Sequence, residues 1–370
     1  MLVALTEAAV SGRDRAHARI AAALADDGRA GRIAGQAYLV HARNSDDAYA
    51  VASHPGSAVV PVALDEASAR GAGGGELLAS VVAGYETACL LADVFLPRAA
   101  ERGWRITSVI APVAAAATLA SFGLDEPEAV SALRIAAATI GGPLETVSGR
   151  GEDFRAQPAF AAAQGVLATR AATGGLVGTT GILEGPQGPF ALICGQPWPG
   201  WPVGGGPRIH HVTFKRYEGA MYAQAIFAAL EQLPPLSGEV TVELRVPAFA
   251  VGYSERGASN DRAPSSLTGS TLDALARLHP GARASSVRAT ADDAVGRFGA
   301  AVTIALPDGS VVAATGDSDT SGWMSDEVDA LCRSRLGDDS LVAAVRALDG
   351  GGSVETLAEV WREVAGRPWG

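Results

Sequence analysis

With 370 residues, 48% of them hydrophobic and 19% charged, the chain can bury a sizeable core and is excluded from the disordered class. That length fits two domains, or one large domain with an insertion. A net charge of −11 without any Lys/Arg run argues against a nucleic-acid-binding surface.

In chain order, Met1 to Val10 is apolar but has no basic leader and soon meets Arg13, Asp14 and Arg15, so no secretory signal is expected. Ala9 to Ala25, Ala67 to Ala99 (broken around Gly71–Gly75), Pro112 to Phe122 and Glu128 to Thr139 are rich in strong helix formers. Gly123 is placed to stop one helix, and Asp125 with Pro127 to start the next. Every apolar run is interrupted by Gly, Pro or charge before the roughly 18 residues that a membrane span needs, so no membrane segment is expected. The Gly/Pro/Trp-rich stretch Gly195 to Pro207 reads as a boundary.

Beyond that boundary, Val240 to Val246 alternates with period two, as a half-buried strand does. Val302 to Leu306 and the run from Val311 read as a hairpin turning at Asp308-Gly309. Ser325 to Leu336 and Leu341 to Val364 return to helix. The domain expectation is therefore a helical part over 1–207, an α+β part over 208–318 and a helical return over 319–370. Cys89, Cys194 and Cys332 lie far apart with no CxxC spacing, which suits buried reduced thiols and a cytoplasmic protein.

Lys215 is the only lysine among 29 basic side chains. Arg replaces Lys as a solvated charge but not as a compact ammonium whose pKa adapts to its pocket. A lone lysine is therefore either a chance survivor of an arginine-rich composition or a functional group.

Four stretches together resemble the MmgE/PrpD family. They are His41-Ala42-Arg43-Asn44-Ser45-Asp46-Asp47 followed by His54-Pro55-Gly56; Gly84-Tyr85-Glu86; Gly165 to Gly185, with Thr173-Gly174 and Leu183-Glu184-Gly185; and Phe214-Lys215-Arg216-Tyr217. The resemblance implies a mainly α fold, in which a large helical domain built from both chain ends carries an inserted smaller α+β domain. It implies a homodimer acting on a small-molecule substrate, through proton transfer next to a carboxylate and without a cofactor. The chain is short for the family, which implies that part of its N-terminal helical region is missing.

By the same resemblance, His54 and Lys215 stand at catalytic positions, and Tyr217 keeps the accompanying aromatic. Asn44 replaces the first Asp of an Asp-x-Asp-Asp-Thr stretch and Ala48 its Thr, while Asp46 and Asp47 are kept. Arg105, in Gly103-Trp104-Arg105-Ile106-Thr107, replaces a His. A family Lys falls on Phe154 or Arg155, and a family His on Gln224.

Residue chemistry supports a catalytic set of His54 as base or acid, Lys215 as oxyanion stabiliser or acid, and Tyr217 as hydrogen-bond donor. Arg105, Asn44, Asp47, Gln224, His41, Trp104 and Arg155 are the candidate substrate-binding residues. Bland readings stand beside these. His54 before Pro could simply enter a helix, His41 could be a core histidine, and Asp46-Asp47 read more naturally as a helix cap or solvated pair than as a catalytic dyad. No His/Cys/carboxylate set has metal-ligand spacing, and His210-His211 would point to opposite faces if strand-like.

The leading expectation is a divergent lyase-type enzyme that enolises a carboxylate or 1,3-dicarbonyl compound, giving elimination, decarboxylation or isomerisation. The alternatives are a cyclase or isomerase of a larger, less charged secondary metabolite, such as one derived from a polyketide, and a non-catalytic binding protein.

Overall fold

The computed structural model describes residues 4–5, 8–9, 15–25, 28–50, 52–148, 151–256, 266–319, 325–336, 339–348, 353–357 and 359. Helix makes up 58% and strand 14%, which makes the chain mainly α. Its contacts divide it into two units. The first comprises 1–144, 153–214 and 321–370, and the second 145–152 and 215–320.

Ahead of Arg15 the described residues 4–5 and 8–9 are helical, and the first unit continues with helices α1 (Arg15–Ala25) and α2 (Gly28–Ala42), then a two-residue strand β1 (Asp47–Ala48). Next come α3 (Gly56–Arg70) and α4 (Gly74–Phe95), separated by Gly71 in the left-handed conformation where α3 stops. The Glu76 carboxylate accepts from the Gly73 N–H, so it satisfies an orphan donor at the start of α4. The expected helix to Ala99 instead ends at Phe95, and after Leu96-Pro97 a separate turn, Arg98–Glu101, follows. A residue before Pro is pushed out of the helical region, which explains the early stop.

Helix α5 (Ile106–Ala120) starts six residues before Pro112, the residue expected to open it. Pro removes one backbone donor inside a helix. Burial of Ile106, Val109, Ile110 and Val113 offsets that loss, each large aliphatic side chain contributing about 1.5–3 kcal/mol. Helix α6 (Glu126–Ala137) opens as expected, with the Asp125 side chain accepting from Glu128 N–H at 2.9 Å and Pro127 in its first turn. Helices α7 (Gln157–Thr173) and α8 (Pro189–Cys194) follow, then a 3₁₀ turn over Arg208–His211. His210 and His211 are thus not strand-like.

Strand β2 (Thr213–Phe214) pairs antiparallel with β1, Asp47 opposite Phe214 and Ala48 opposite Thr213. The core of this unit is lined largely by alanine and small aliphatic side chains around Tyr38, Tyr85 and Phe95. Small side chains let helix backbones approach closely. Gly84 marks the tightest approach, since a Cβ there would fall on Thr118 Oγ1 of α5 and within 2.7 Å of Val59 of α3.

Helix α4 spans 22 residues and is, against expectation, long and apolar enough to cross a membrane by length and composition. Its Gly and Glu residues do not lower the average enough to exclude it. Half of its most apolar window is buried in the protein, and a core helix meets the same criterion.

The second unit has helix α9 (Met221–Leu230), strand β3 (Ser237–Val246), helices α10 (Ala248–Arg256) and α11 (Leu267–Leu278), then strands β4 (Gly281–Ala291), β5 (Gly299–Ala305) and β6 (Val311–Asp317). The sheet order is β4-β3-β5-β6. Strands β3 and β4 are parallel, the helices α10 and α11 lying between them in the chain as a parallel pair requires. Strands β5 and β6 form the expected hairpin, Ala305 opposite Val311. Along β3, Val240, Val242, Leu244 and Val246 are buried and the residues between them exposed. They share a core with Ile226, Phe227 and Leu230 of α9 and Leu275 of α11.

The chain then supplies the first unit with α12 (Ser325–Leu336) and α13 (Ser340–Ala347). The helix expected from Leu341 to Val364 is interrupted: α13 ends at Ala347, and 360–364 lie outside the described residues. The unit boundary falls between Phe214 and Lys215, seven residues beyond Pro207. None of the three cysteines is in a disulfide, and all three are buried.

Candidate functional site

Helix α2 ends at Ala42, and the Asn44 N–H bonds the His41 carbonyl at 2.9 Å with Asn44 itself at φ 52°. That turn sends the chain back under its own helix end, so Asp46 and Asp47 point inward. Both are fully buried, with Asp46 1% and Asp47 0% exposed. The solvated reading of this pair is therefore corrected, while the helix-cap reading holds for Asp47, whose carboxylate accepts from the first N–H of α3. Each is shielded from bulk solvent and meets buried donors brought from other elements.

Asp47 accepts from Tyr85 Oη of α4 at 2.7 Å and from the Gly56 N–H, the first of α3, at 3.1 Å. A carboxylate here satisfies an orphan donor of α3 from outside the helix. Burial, followed by the Asp47 charge and hydrogen bond, holds the Tyr85 phenol well above its ordinary value, so Tyr85 remains a donor. Gly56 has to be glycine because a Cβ would fall on Tyr85 Oη and Leu5 Cδ1, and within 2.9 Å of Asp47 Oδ2.

Asp46 Oδ2 lies 2.6 Å from His41 Nδ1, and Asp46 Oδ1 lies 3.7 Å from His54 Nδ1. The two imidazole rings are 4.9 Å apart. His54 Nδ1 is 2.7 Å from the Asp47 carbonyl oxygen. A carbonyl only accepts, so Nδ1 of His54 carries the proton and Nε2 is the basic nitrogen. The backbone around His54 is also held, its N–H by Thr107 Oγ1 at 3.2 Å and its carbonyl by Ser57 Oγ at 2.7 Å.

Arg105 precedes α5, its N–H bonded to the Gly142 carbonyl at 2.9 Å. Its guanidinium places NH2 2.6 Å from His41 Nε2 and NH1 2.9 Å from Gln157 Oε1, and NH1 also donates to the Phe154 carbonyl. The guanidinium groups of Arg105, at 5.7 Å, and Arg155, at 4.8 Å, both lie over the Phe154 ring, which packs edge-to-face with His41. Arg105 is 5% exposed. Trp104, beside it, is half-buried and pairs its backbone with Pro143.

Ligand atoms of His41, Asp46 and His54 all fall within 4.8 Å of one another, close enough to hold a metal ion. Sequence spacing gave no hint of this, because the three residues converge through the turn after α2 rather than through a local motif. Both Nδ1 atoms point their protons at acceptors, and Arg105 sets a cation against His41. In this arrangement the cluster works as a hydrogen-bond relay, and an ion bound through the two Nδ1 atoms would have to displace both protons.

The MmgE/PrpD N-terminal domain matches residues 10–201, just over half of the chain and the segment that supplies the whole relay. The chain belongs to the MmgE/PrpD family. Members of this family are generally dehydratases and other lyases. No curated protein matches the chain.

Lys215, Tyr217 and Gln224, the other expected MmgE/PrpD positions, belong to the second unit. Lys215 is 1% exposed, among the largest fully buried side chains. The Tyr217 phenol donates to Glu231, and its ring stacks on Phe227 at 4.2 Å. Arg216 lies over the same ring and 3.6 Å from Glu231. The Gln224 side chain accepts from Tyr217 N–H at 2.8 Å and donates to the carbonyls of Tyr217 at 2.9 Å and Ala220 at 3.3 Å. Its amide is thus engaged with backbone, latching the 217–220 turn onto α9.

The first unit therefore brings His41, Asp47, Arg105 and His54 together, with Asn44 shaping the turn and Arg155 behind Phe154. Asp46, Tyr85 and Gln157 complete that set without having been singled out as site residues. For Asp46 the available signals were its place in the kept Asp46-Asp47 pair of the family stretch and its position after a helix-ending His, and an acidic pair by itself favours exposure as readily as burial.

Proposed function

We propose that this protein is a lyase-type enzyme that removes a proton α to a carboxylate or between two carbonyls, with His54 as the base. The observation that carries this reading is the fixed His54 tautomer: the Asp47 carbonyl holds the proton on Nδ1 and leaves Nε2 basic. Imidazole titrates near neutrality, so a neutral, oriented His is suited to take a carbon-bound proton. Lys215, the sole lysine and a buried one, is assigned the enolate oxyanion by residue type. Family membership supports elimination or decarboxylation as the outcome.

Proton NMR in D2O with citrate-like and aconitate-like acids tests this. Solvent deuterium enters the carbon α to carboxylate, and His54→Gln slows exchange by about 10²–10⁴-fold, the usual scale of general acid–base catalysis. Lys215→Arg also slows it, because a bulky fork does not replace a compact ammonium. Exchange that is equally fast in His54→Gln would overturn the assignment.

A second reading, a cyclase or isomerase of a larger and less ionic metabolite, is favoured by one observation. Arg105 donates to protein groups on both terminal nitrogens, and Gln224 is engaged with backbone. Two polar groups that a small polycarboxylate would call on are thus turned inward. Shape would then contribute more to rate than charge does, by holding reacting atoms together. Absence of exchange on every small acid and every small 1,3-dicarbonyl compound, with exchange or ring closure on a larger polyketide-like precursor, selects this reading.

A further inference from the structure

We propose that Arg105 is a positioning residue that fixes the His41 tautomer and, through it, holds the Asp46 carboxylate toward His54 Nδ1, reinforcing the base-competent tautomer that the Asp47 carbonyl sets. For its catalytic consequence the proposal rests on His54 being the base. The geometry runs in one direction. A guanidinium can only donate, so His41 Nε2, 2.6 Å from Arg105 NH2, is an acceptor and bears no proton. His41 is then neutral with its proton on Nδ1, donated to Asp46 Oδ2 at 2.6 Å.

That bond aims the second oxygen, Oδ1, at His54 Nδ1, 3.7 Å away. Asp46 and the Asp47 carbonyl together face the Nδ1–H edge of His54, so the opposite edge, Nε2, is kept as acceptor. Protonation of His41 would set N–H against N–H at Arg105, which bars His41 from competing for the Asp46 charge.

During proton abstraction, the substrate C–H bond breaks and its electron pair stays on carbon as the enolate. The proton forms an N–H bond at His54 Nε2. The resulting imidazolium keeps its Nδ1–H on the Asp47 carbonyl and gains the Asp46 carboxylate as counter-charge. His41 neither gains nor loses a proton. Arg105 touches none of the reacting atoms in this scheme.

Charged and titratable groups around His41 include Asp46, Arg105 and His54, with Arg155 on Phe154, Asp47 beyond His54 and Tyr85 on Asp47. A merely structural Arg105 would leave their protonation pattern unchanged when replaced.

Long-range ¹H–¹⁵N spectra of the histidine-labelled full chain read the tautomers directly, with signals assigned through His41→Gln and His54→Gln. In the unsubstituted protein, both His41 and His54 show a protonated Nδ1 and an unprotonated Nε2. The His41 signals stay constant between about pH 5 and 8, where an ordinary histidine titrates. In Arg105→Met, His41 begins to titrate in that window, and kcat for exchange falls roughly ten- to hundred-fold with KM little changed, the scale on which orienting partners act. Arg105→Lys, with one donor in reach of Nε2, restores the His41 tautomer.

A protonated Nε2 on His41 or His54 in the unsubstituted protein overturns the proposal, as do unchanged tautomers in a folded Arg105→Met. Should Arg105→Met fail to fold, Arg105→Gln serves in its place. If no acid exchanges, the reading of His54 as a carboxylate-enolising base fails, while the spectra still decide the role of Arg105.

Discussion

Asp47 shows how one buried carboxylate can set the geometry of a site. Its side chain joins the start of α3 to Tyr85, and its carbonyl fixes His54. Because Tyr85 is fully buried, Tyr85→Phe leaves Asp47 short of one donor, and an unsatisfied buried group costs about 1–3 kcal/mol. Gly56→Ala destabilises by a similar amount, roughly 1–3 kcal/mol, since the new methyl must push Tyr85 and Leu5 aside. Urea denaturation of the two variants checks both values. The double variant is expected to fall short of their sum, because both act through the same Tyr85–Asp47 contact.

Among the elements, α4 and α5 owe their spacing to Gly84, opposite Thr118. Gly84→Ala brings a methyl onto that hydroxyl, and about 1–3 kcal/mol of overpacking outweighs any gain in helix propensity. A lowered melting temperature is the expected result. A raised one would mean that the two helices can move apart without loss.

Helices α2 and α3 are joined by ions. Arg29 bonds Glu66 and, at 2.6 Å, Asp65, while Arg70 bonds Glu66 and the Phe122 carbonyl. Burial opposes ionisation of Glu66, but the hydrogen bonds and charges of Arg29 and Arg70 outweigh it and hold the carboxyl below its ordinary 4.5. A depressed folded value contributes stability that is present above the unfolded value and lost as pH falls through the folded one. Glu66→Gln should therefore flatten the acid side of the stability profile below about pH 4.5, measured by denaturant melts at stepped pH, and leave its slope near pH 7 unchanged.

For the whole molecule, the two units hold separate cores, one around Tyr85 and Phe95 and the other around Phe227 and β3. Regions with their own core open as separate cooperative units. Ile110→Ala and Ile226→Ala each cost about 2–5 kcal/mol. In native-state hydrogen exchange, the first should speed exchange mainly in α3, α4, α5 and α7, and the second in α9 and β3 to β6. Equal acceleration throughout in both variants would show that the units unfold together.

Much of the element pattern was legible in the sequence, because local rules determined it. Asp125 with Pro127 starts a helix by capping chemistry, β3 alternates because one face is buried, and Asp308-Gly309 turns the β5–β6 hairpin. The exceptions were also local in origin, with tertiary packing overriding them: α5 runs through Pro112, and α4 passes for a membrane span because a buried helix and a lipid-facing one share a composition. By itself the sequence determined a mainly α chain, the family resemblance, and His54 and Lys215 as the residue types suited to proton chemistry. Only the tertiary structure decided what surrounds His54. Asp46 and Arg105 reach the His41–His54 pair, and Gln157 reaches Arg105, from different turns of chain, and no local spacing encodes such a meeting. Whether a carboxylate is solvated or buried, and which nitrogen of an imidazole carries the proton, depends on partners that only folding brings within hydrogen-bond range.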